Sequence, residues 1–439
     1  VRIFLLVLRA IWISMVLLWA FLSYGVRRAA RLRMRPEDKE RLRGLVMARA
    51  FERLGATFIK FGQILSTRPD ILGPGYIEPL SRLQDQVAPC RWRAIEEVLT
   101  RELGPDARAR LVEVDETPIA SASVAQVHRG VLDTGEAVAL KIQRPGVTRL
   151  IVGDVAILGF WARLVSVIPS FRPLSLPGSV ARFGEALEGQ LDFRLEADNN
   201  RRFAAMFADK PDFGVPRLHD GLCTARVLTM ELIDGVKGSE PDGVGGDRAR
   251  LARLGAEAIL KMVFEDGFVH ADLHPGNIML THDGRVIFID LGMVAEIDRE
   301  LMGPWTATFL ALGRQDAAEV ARLLYCYAPA VGKMEYAEYE RAVVEHFDRF
   351  HGKALGDVEI SEVLGGIMNI LRRFRITIDP SFTVVNIALL VAEGLGKQLD
   401  PSIDVVRMAV PVLMKAAASA PKGVEPRREV PAARAPAAS

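Results

Sequence analysis

Three polar residues stand out by type and spacing. Asp272 and Asn277 lie five residues apart in His270-Ala271-Asp272-Leu273-His274-Pro275-Gly276-Asn277, a stretch made rigid by Pro275 and Gly276. Asp290 follows thirteen residues after Asn277, at the end of the apolar run Val286-Ile287-Phe288-Ile289 and just before Leu291-Gly292. A carboxylate that closes an apolar run needs a partner to offset its desolvation. Oxygen ligands from Asn277 and Asp290 suit Mg²⁺, which takes a few protein oxygens and completes its shell with phosphate and water. Asp272 is then available to orient or deprotonate an attacking hydroxyl or water. Two plainer readings compete. His270 and His274 have the spacing of zinc ligands on a helix, but Pro275 and Gly276 argue against a helix there and no third ligand is evident. Asp272 and Asn277 could also be turn formers only; the matching separation to Asp290 argues against that.

D-x-x-x-x-N followed by D-x-G is the catalytic arrangement of protein kinases. Such chemistry needs a lysine on an upstream strand to hold the α- and β-phosphates of a nucleotide. Val138-Ala139-Leu140-Lys141 supplies one, in a chain otherwise rich in arginine. Its positioning carboxylate is expected to be Glu196 on the following helix, with Asp192 on the same face as competitor. Read alone, Lys141 could be a snorkelling residue of an edge strand. The phosphate-covering loop should be Ala120-Ser121-Ala122-Ser123-Val124-Ala125-Gln126. It lacks glycine and is expected to be stiffer than a kinase loop, although its backbone N–H groups can still face phosphate. The chain has no G-x-x-x-x-G-K-[ST] loop and no G-x-S-x-G elbow.

These residues need elements to hold them. Residues 36–104 read as helical, with breaks at 73–75 and at Pro89. Residues 111–145 read as a β-hairpin turning at Asp133-Thr134-Gly135. Helical periodicity returns over 149–168 and over 180–208, where Phe183, Leu187, Leu191 and Leu195 recur every four residues. Residues 226–233 form a strand, 234–247 a Gly-rich polar loop, and 251–264 a buried helix. A short hairpin at Thr281-His282-Asp283-Gly284 then leads to Asp290, and the chain is helical from 298 to about 416. This order is not an alternating βαβ sheet.

Residues Ile3 to Tyr24 are mostly apolar and long enough to cross a bilayer. Arg9 interrupts them and is expected to snorkel to the headgroups. A spanning helix, an interfacial membrane helix, and a signal peptide or buried soluble helix all remain open. Arg27, Arg28, Arg31, Arg33, Arg35, Lys39, Arg41 and Arg43 follow, diluted by Glu37, Asp38 and Glu40. Positive flanks stay in the cytoplasm, so the bulk of the chain should lie there. From about Ala417 the composition suggests a disordered tail.

The chain has 439 residues, 50% hydrophobic and 25% charged, which excludes a disordered protein over most of its length. Its 56 basic and 55 acidic residues give a net charge of +1 and no reason to expect nucleic-acid binding. Cys90, Cys223 and Cys326, odd in number and far apart, argue against a disulfide framework and for a reducing compartment.

Taken together, these motifs resemble the UbiB, or aarF-domain, family of atypical kinase-like proteins over roughly residues 36–400. The family's alanine-rich loop resembles residues 120–128, its strand lysine Lys141, its catalytic loop residues 270–277, and its metal aspartate Asp290. Its K-x-G-Q motif resembles Lys60-Phe61-Gly62-Gln63. The resemblance implies an α+β, two-lobed kinase-like fold with a helical extension that packs over the site, where Lys60 and Gln63 cap the nucleotide. Backbone near Glu231 and Leu232 would meet the adenine. The implied layout is a membrane segment (1–26), the helical extension (27–110), a kinase-like N-lobe (111–235), a helical C-lobe (236–416) and a tail (417–439). The family's E-x-D motif is altered here to Gln190-Leu191-Asp192, with Glu188 two residues out of register. After Asp290-Leu291-Gly292 there is no A-P-E segment and little room for a peptide-docking loop. The resemblance thus implies a membrane-attached ATPase or small-molecule kinase that binds ATP or ADP with Mg²⁺ and supports ubiquinone or related isoprenoid-lipid synthesis. Its partners would be membrane lipid or an isoprenoid, and lipid-biosynthesis enzymes, at an inner or plasma membrane. A nucleotide-gated scaffold without turnover and a true protein kinase are the rival readings.

Overall fold

The computed structural model describes residues 2–29, 34–66, 72–83, 87–167, 176–350, 359–419 and 424–431. They fall in two compact units, one within Val1–Thr67, Leu72–Arg202 and Pro216–Leu232, the other within Phe203–Val215 and Ile233–Ser439.

The first unit opens with helices α1 (Arg2–Ala29), α2 (Pro36–Leu54), α3 (Ala56–Ser66), α4 (Pro74–Ser81) and α5 (Trp92–Ala109). The strands β1 (Leu111–Val114), β2 (Ala120–Ser121), β3 (Ala125–Leu132) and β4 (Ala137–Gln143) come next. Strand β5 (Phe213–Gly214) belongs to the second unit, and β6 (Val227–Glu231) completes the first sheet. That sheet is antiparallel in the order β1-β3-β4-β6, with β2 paired to β3. The β3–β4 turn needs Gly135, whose φ of 83° only glycine adopts freely. Alternation along β4 sends Val138, Leu140 and Ile142 into one core with Ile95 and Leu99 of α5. Lys141 therefore emerges on the opposite face, and β4 lies inside the sheet, not at its edge. On that other side a second core joins Val124, Ala125 and Leu228 to helices α6 (Val147–Ser166), α7 (Leu176–Gly189) and α8 (Phe193–Met206).

Helices α1 to α4 share a third core around Ile13, Phe51, Leu54, Phe58 and Leu80, joined by Ile157 of α6. Arg9 does not snorkel. Its Nε and a terminal nitrogen each lie 2.7 Å from a carboxylate oxygen of Asp154, which is fully buried in α6. Arg9 also donates to the Leu54 carbonyl at 2.6 Å, and Thr57 Oγ1 donates to Asp154 at 2.7 Å. The correction has a simple cause: two opposite charges set in two apolar helices find each other, and neither needs the headgroups.

The second unit carries the strands β7 (Gly235–Lys237), β8 (Phe268–His270), β9 (Ile278–Thr281), β10 (Val286–Phe288), β11 (Val294–Glu296), β12 (Ala330–Val331) and β13 (Ile376–Thr377). One sheet has the order β5-β10-β9-β7, and β8 pairs with β11. Part of the expected Gly-rich loop is thus strand β7, paired with β9. The rest is helical: α9 (Arg248–Leu260), α10 (Arg299–Gly313), α11 (Ala317–Cys326), α12 (Tyr336–Asp348), α13 (Ile360–Arg373), α14 (Pro380–Leu399) and α15 (Val405–Ser419). One large core, including Leu260, Phe288, Tyr339, Leu371 and Val385, unites them. Helix α15 runs to Ser419. Beyond it, the Val424 carbonyl accepts from the Tyr327 hydroxyl at 3.1 Å and Arg428 donates to the Tyr325 carbonyl at 2.8 Å. Residues 420–423 and 432–439 of the expected tail lie outside the described residues, as do Arg31 and Arg33 of the basic run.

Candidate active site

In the first unit the structure brings Lys141 and Glu196 together. Lys141 sits opposite Val127 of β3 and Leu228 of β6, and its Nζ lies 2.8 Å from both carboxylate oxygens of Glu196. Their side chains are only 14% and 7% exposed, so the pair is largely screened from water. Glu196 occupies the first turn of α8, where the helix dipole favours a carboxylate. Lys141 Nζ also lies 5.5 Å from the centroid of the Phe193 ring. A buried pair of this kind fixes the ammonium in direction, which a phosphate-binding lysine needs. Asp192, the competitor, is taken by Arg194, which holds its carboxyl below the usual carboxylate range.

The alanine-rich segment is less of a loop than its sequence suggests. Ala120 and Ser121 form β2, Ala125 already belongs to β3, and Ala122 N–H closes the turn on the Ala125 carbonyl at 2.8 Å. Arg144, missed by sequence reasoning, clamps this turn. It donates to the Ala122 carbonyl at 2.9 Å and to the Ala88 carbonyl at 2.5 Å, and its backbone N–H donates to Val124. Ser123 and Val124 are buried. Glu231 N–H donates to the Arg217 carbonyl at 2.8 Å. A purine edge could therefore address the Glu231 carbonyl or the backbone of Leu232, but not that N–H.

The K-x-G-Q residues lie on α3. Lys60 is buried, and Gln63 Nε2 donates to the Leu83 carbonyl at 3.1 Å. Phe61 packs edge-on against Phe183 of α7, with centroids 4.7 Å apart. Gln63 Oε1 and Gln190 Nε2 are buried with no hydrogen-bond partner among the described residues.

In the second unit a hydrogen-bonded frame joins Asp272, Asn277 and the strand end that carries Asp290. Asn277 Nδ2 donates to the Asp272 carbonyl at 2.9 Å, and Ile289 N–H donates to the Asn277 carbonyl at 2.9 Å. His270 closes the frame. Its Nε2 lies 3.1 Å from the Ile289 carbonyl, and its Nδ1 accepts the Asp272 N–H at 3.2 Å. That pattern defines a neutral ring with the proton on Nε2, and burial pushes its pKa down. With both nitrogens engaged, His270 has no lone pair left for zinc. His274 Nδ1 likewise accepts the Gly276 N–H at 3.1 Å. The role of His270 was not read from the sequence, where it is weighed only for its zinc-like spacing to His274.

Asn277 uses its amide nitrogen inside this frame, which leaves Oδ1 as a hard oxygen donor. Asp290 is exposed at the end of its run. An amide oxygen and a carboxylate make a sparse, hard donor set that fits Mg²⁺ completed by phosphate and water.

An ABC1 atypical kinase-like domain model matches residues 82–324, more than half of the chain, and a UbiB helical domain model matches residues 343–404. Among solved structures, the complex of Rv3197 with erythromycin from Mycobacterium tuberculosis is similar at 26% identity and a TM-score of 0.51. The match covers 80% of this chain and 93% of that one. Lys141, Glu196, Asp272, Asn277 and Asp290 all fall within the matched kinase-like domain. With a kinase-like fold and both domain models matched in order, the chain belongs to the UbiB, or aarF-domain, family of atypical kinase-like proteins.

Proposed function

We propose that the protein is a membrane-attached ATPase or small-molecule kinase that binds Mg²⁺–nucleotide and supports ubiquinone or related isoprenoid-lipid synthesis. The observation that carries this reading is the buried, two-fold Lys141–Glu196 contact at 2.8 Å. Lys141 holds the α- and β-phosphates and Glu196 aims it. Asn277 and Asp290 hold Mg²⁺, which neutralises charge on the phosphates when bound. Asp272 orients the attacking hydroxyl or water. Residues Ala120 to Val124 cover the phosphates, Lys60 and Gln63 cap the nucleotide, and backbone at Glu231 and Leu232 meets the adenine. A lipidic acceptor is supported by an apolar cavity of about 310 Å³ within the second unit, lined by Phe264, Phe309, Leu389, Leu413 and Arg314 among others. The membrane is the inner or plasma membrane, with the kinase-like domain in the cytoplasm and lipid-biosynthesis enzymes as partners.

A scaffold that binds nucleotide without turnover is the second reading. The Arg144 clamp on the alanine-rich turn favours it, because a fixed turn follows a changing phosphate poorly. Phosphate release from Mg²⁺–ATP, with and without anionic liposomes, separates the two. Turnover lost in Asp290→Asn supports the enzyme. No turnover, but nucleotide-induced thermal stabilisation, supports the scaffold. Unchanged Mg²⁺–nucleotide affinity in Asp290→Asn would overturn the site assignment.

A further inference from the structure

The outer faces of α1 and α6 take no part in the nucleotide chemistry. Helix α1 buries the stripe Leu6, Ala10, Ile13, Val16 and Ala20 in the core shared with α2 to α4 and α6. On the opposite face Phe4, Leu8, Ile11, Met15, Leu18 and Leu22, at alternating spacings of four and three, are 47% to 64% exposed. Helix α6 adds Phe160, Trp161 and Leu164, and its C-cap residue Val167 joins them; the four are 41% to 67% exposed. The two helices touch where Leu6 meets Gly153, and a Cβ at Gly153 would lie 3.0 Å from the Leu6 side chain. Exposed apolar surface on this scale marks an interaction site.

Charge identifies the occupant. Helix α1 has no acidic residue and carries Arg2, Arg9, Arg27 and Arg28. Helix α6 carries Arg149 and Arg163, and its one carboxylate, Asp154, is buried against Arg9. Two arginines of α2 lie over aromatic rings of α1: Arg53 over Trp19 at 3.7 Å and Arg43 over Tyr24 at 5.5 Å. An apolar face with arginine–aromatic pairs beside it and no exposed carboxylate on either helix matches the headgroup region of an anionic bilayer. A protein interface would instead offer a polar rim of both charge signs.

The packing also opposes a spanning helix. For α1 to cross the bilayer with its contacts intact, α2 and α6 would have to enter hydrocarbon with it, the charged residues of α2 included. Without those contacts, Asp154 would be left buried and unpaired, which is strongly destabilising.

We propose that α1 and α6 form a single docking surface for one leaflet of an anionic bilayer. Helix α1 lies in the interface plane, tied to the protein by Arg9–Asp154. This deepens the membrane attachment proposed above and does not depend on the nucleotide chemistry. The test is flotation of the full chain with phosphatidylcholine vesicles, with and without phosphatidylglycerol. The double variant Phe160→Glu/Leu164→Glu should lower the bound fraction on anionic vesicles by about tenfold or more, with melting and nucleotide-induced stabilisation unchanged. In vesicles of brominated lipid, Trp161→Phe should reduce the quenchable fluorescence, as should Trp12→Phe. Unchanged flotation of the double variant, together with quenching indifferent to Trp161, would mean that α1 inserts alone and would overturn the proposal. Failure of the parent chain to float would overturn membrane attachment altogether, leaving the nucleotide site untouched. A dimer that the double variant dissolves, without vesicle binding, would assign the face to a second copy and overturn it as well.

Discussion

Asp290 has a left-handed backbone, with φ at 59°. Aspartate and asparagine enter this region readily because their short polar side chains bond locally. Asp290→Asn therefore removes the charge without straining the chain, which makes it a clean probe of the proposed metal binding. The buried histidines carry a separate signature. The pKa values of His128, His270 and His346 are all lowered, in each case chiefly by burial. His346 Nε2 is bonded to the Val363 carbonyl at 3.0 Å, and His128 Nδ1 to the Asp115 carbonyl at 2.8 Å. As pH falls through the ordinary value of 6.5, the unfolded chain takes up protons that the folded chain still refuses. The unfolded state then binds more protons, so stability is complete above this value and declines below it. The urea midpoint should drop between about pH 7 and about pH 5.5, and His346→Gln should shallow the slope. A midpoint that rises on acidification would contradict this account. Asp272, Asn277, Asp290 and Lys141 were legible in the sequence as candidates, because their types and spacing are local. The linking role of His270 was not, since it depends on reaching Ile289 across a hairpin.

Helix α3 shows what close packing demands of an element. A Cβ on Gly62 would lie 2.3 Å from Leu83 Cδ1 and 2.8 Å from Phe51 Cδ2. The glycine in Lys60-Phe61-Gly62-Gln63 thus has a steric reason: α3 sits too close to its neighbours for a methyl group. Gly62→Ala should destabilise the protein by about 1–3 kcal/mol, the usual cost of overpacking, read as a lowered melting temperature. A neutral result would mean that Leu83 and Phe51 move aside freely. The β3–β4 hairpin and the helical character of 180–208 were legible, but not the break at Gln190–Asp192 that divides that stretch into α7 and α8 and leaves Leu195 exposed. The segment over 120–126 was read as a loop because small residues carry no strand pattern of their own; pairing of β2 with β3 decides its conformation.

Among the described residues the apolar side chains form separate cores, three in the first unit and one large core in the second. Leu371 is completely buried in the second unit's core. Leu371→Ala should cost about 2–5 kcal/mol, and hydrogen exchange should report the loss of protection first among amides of that unit. Equal loss in the β1-β3-β4-β6 sheet would show that the two units unfold as one. The sequence by itself determined the kinase-like family and most of the order of elements, because motif residues, turn residues and hydrophobic periods are written within short windows. Only the tertiary structure decided that Arg9 pairs with Asp154, that Glu196 rather than Asp192 holds Lys141, and that α1 is packed along one side. Those outcomes join residues as far as 145 positions apart. They depend on which faces are buried together, a property of the packed chain that no local spacing encodes.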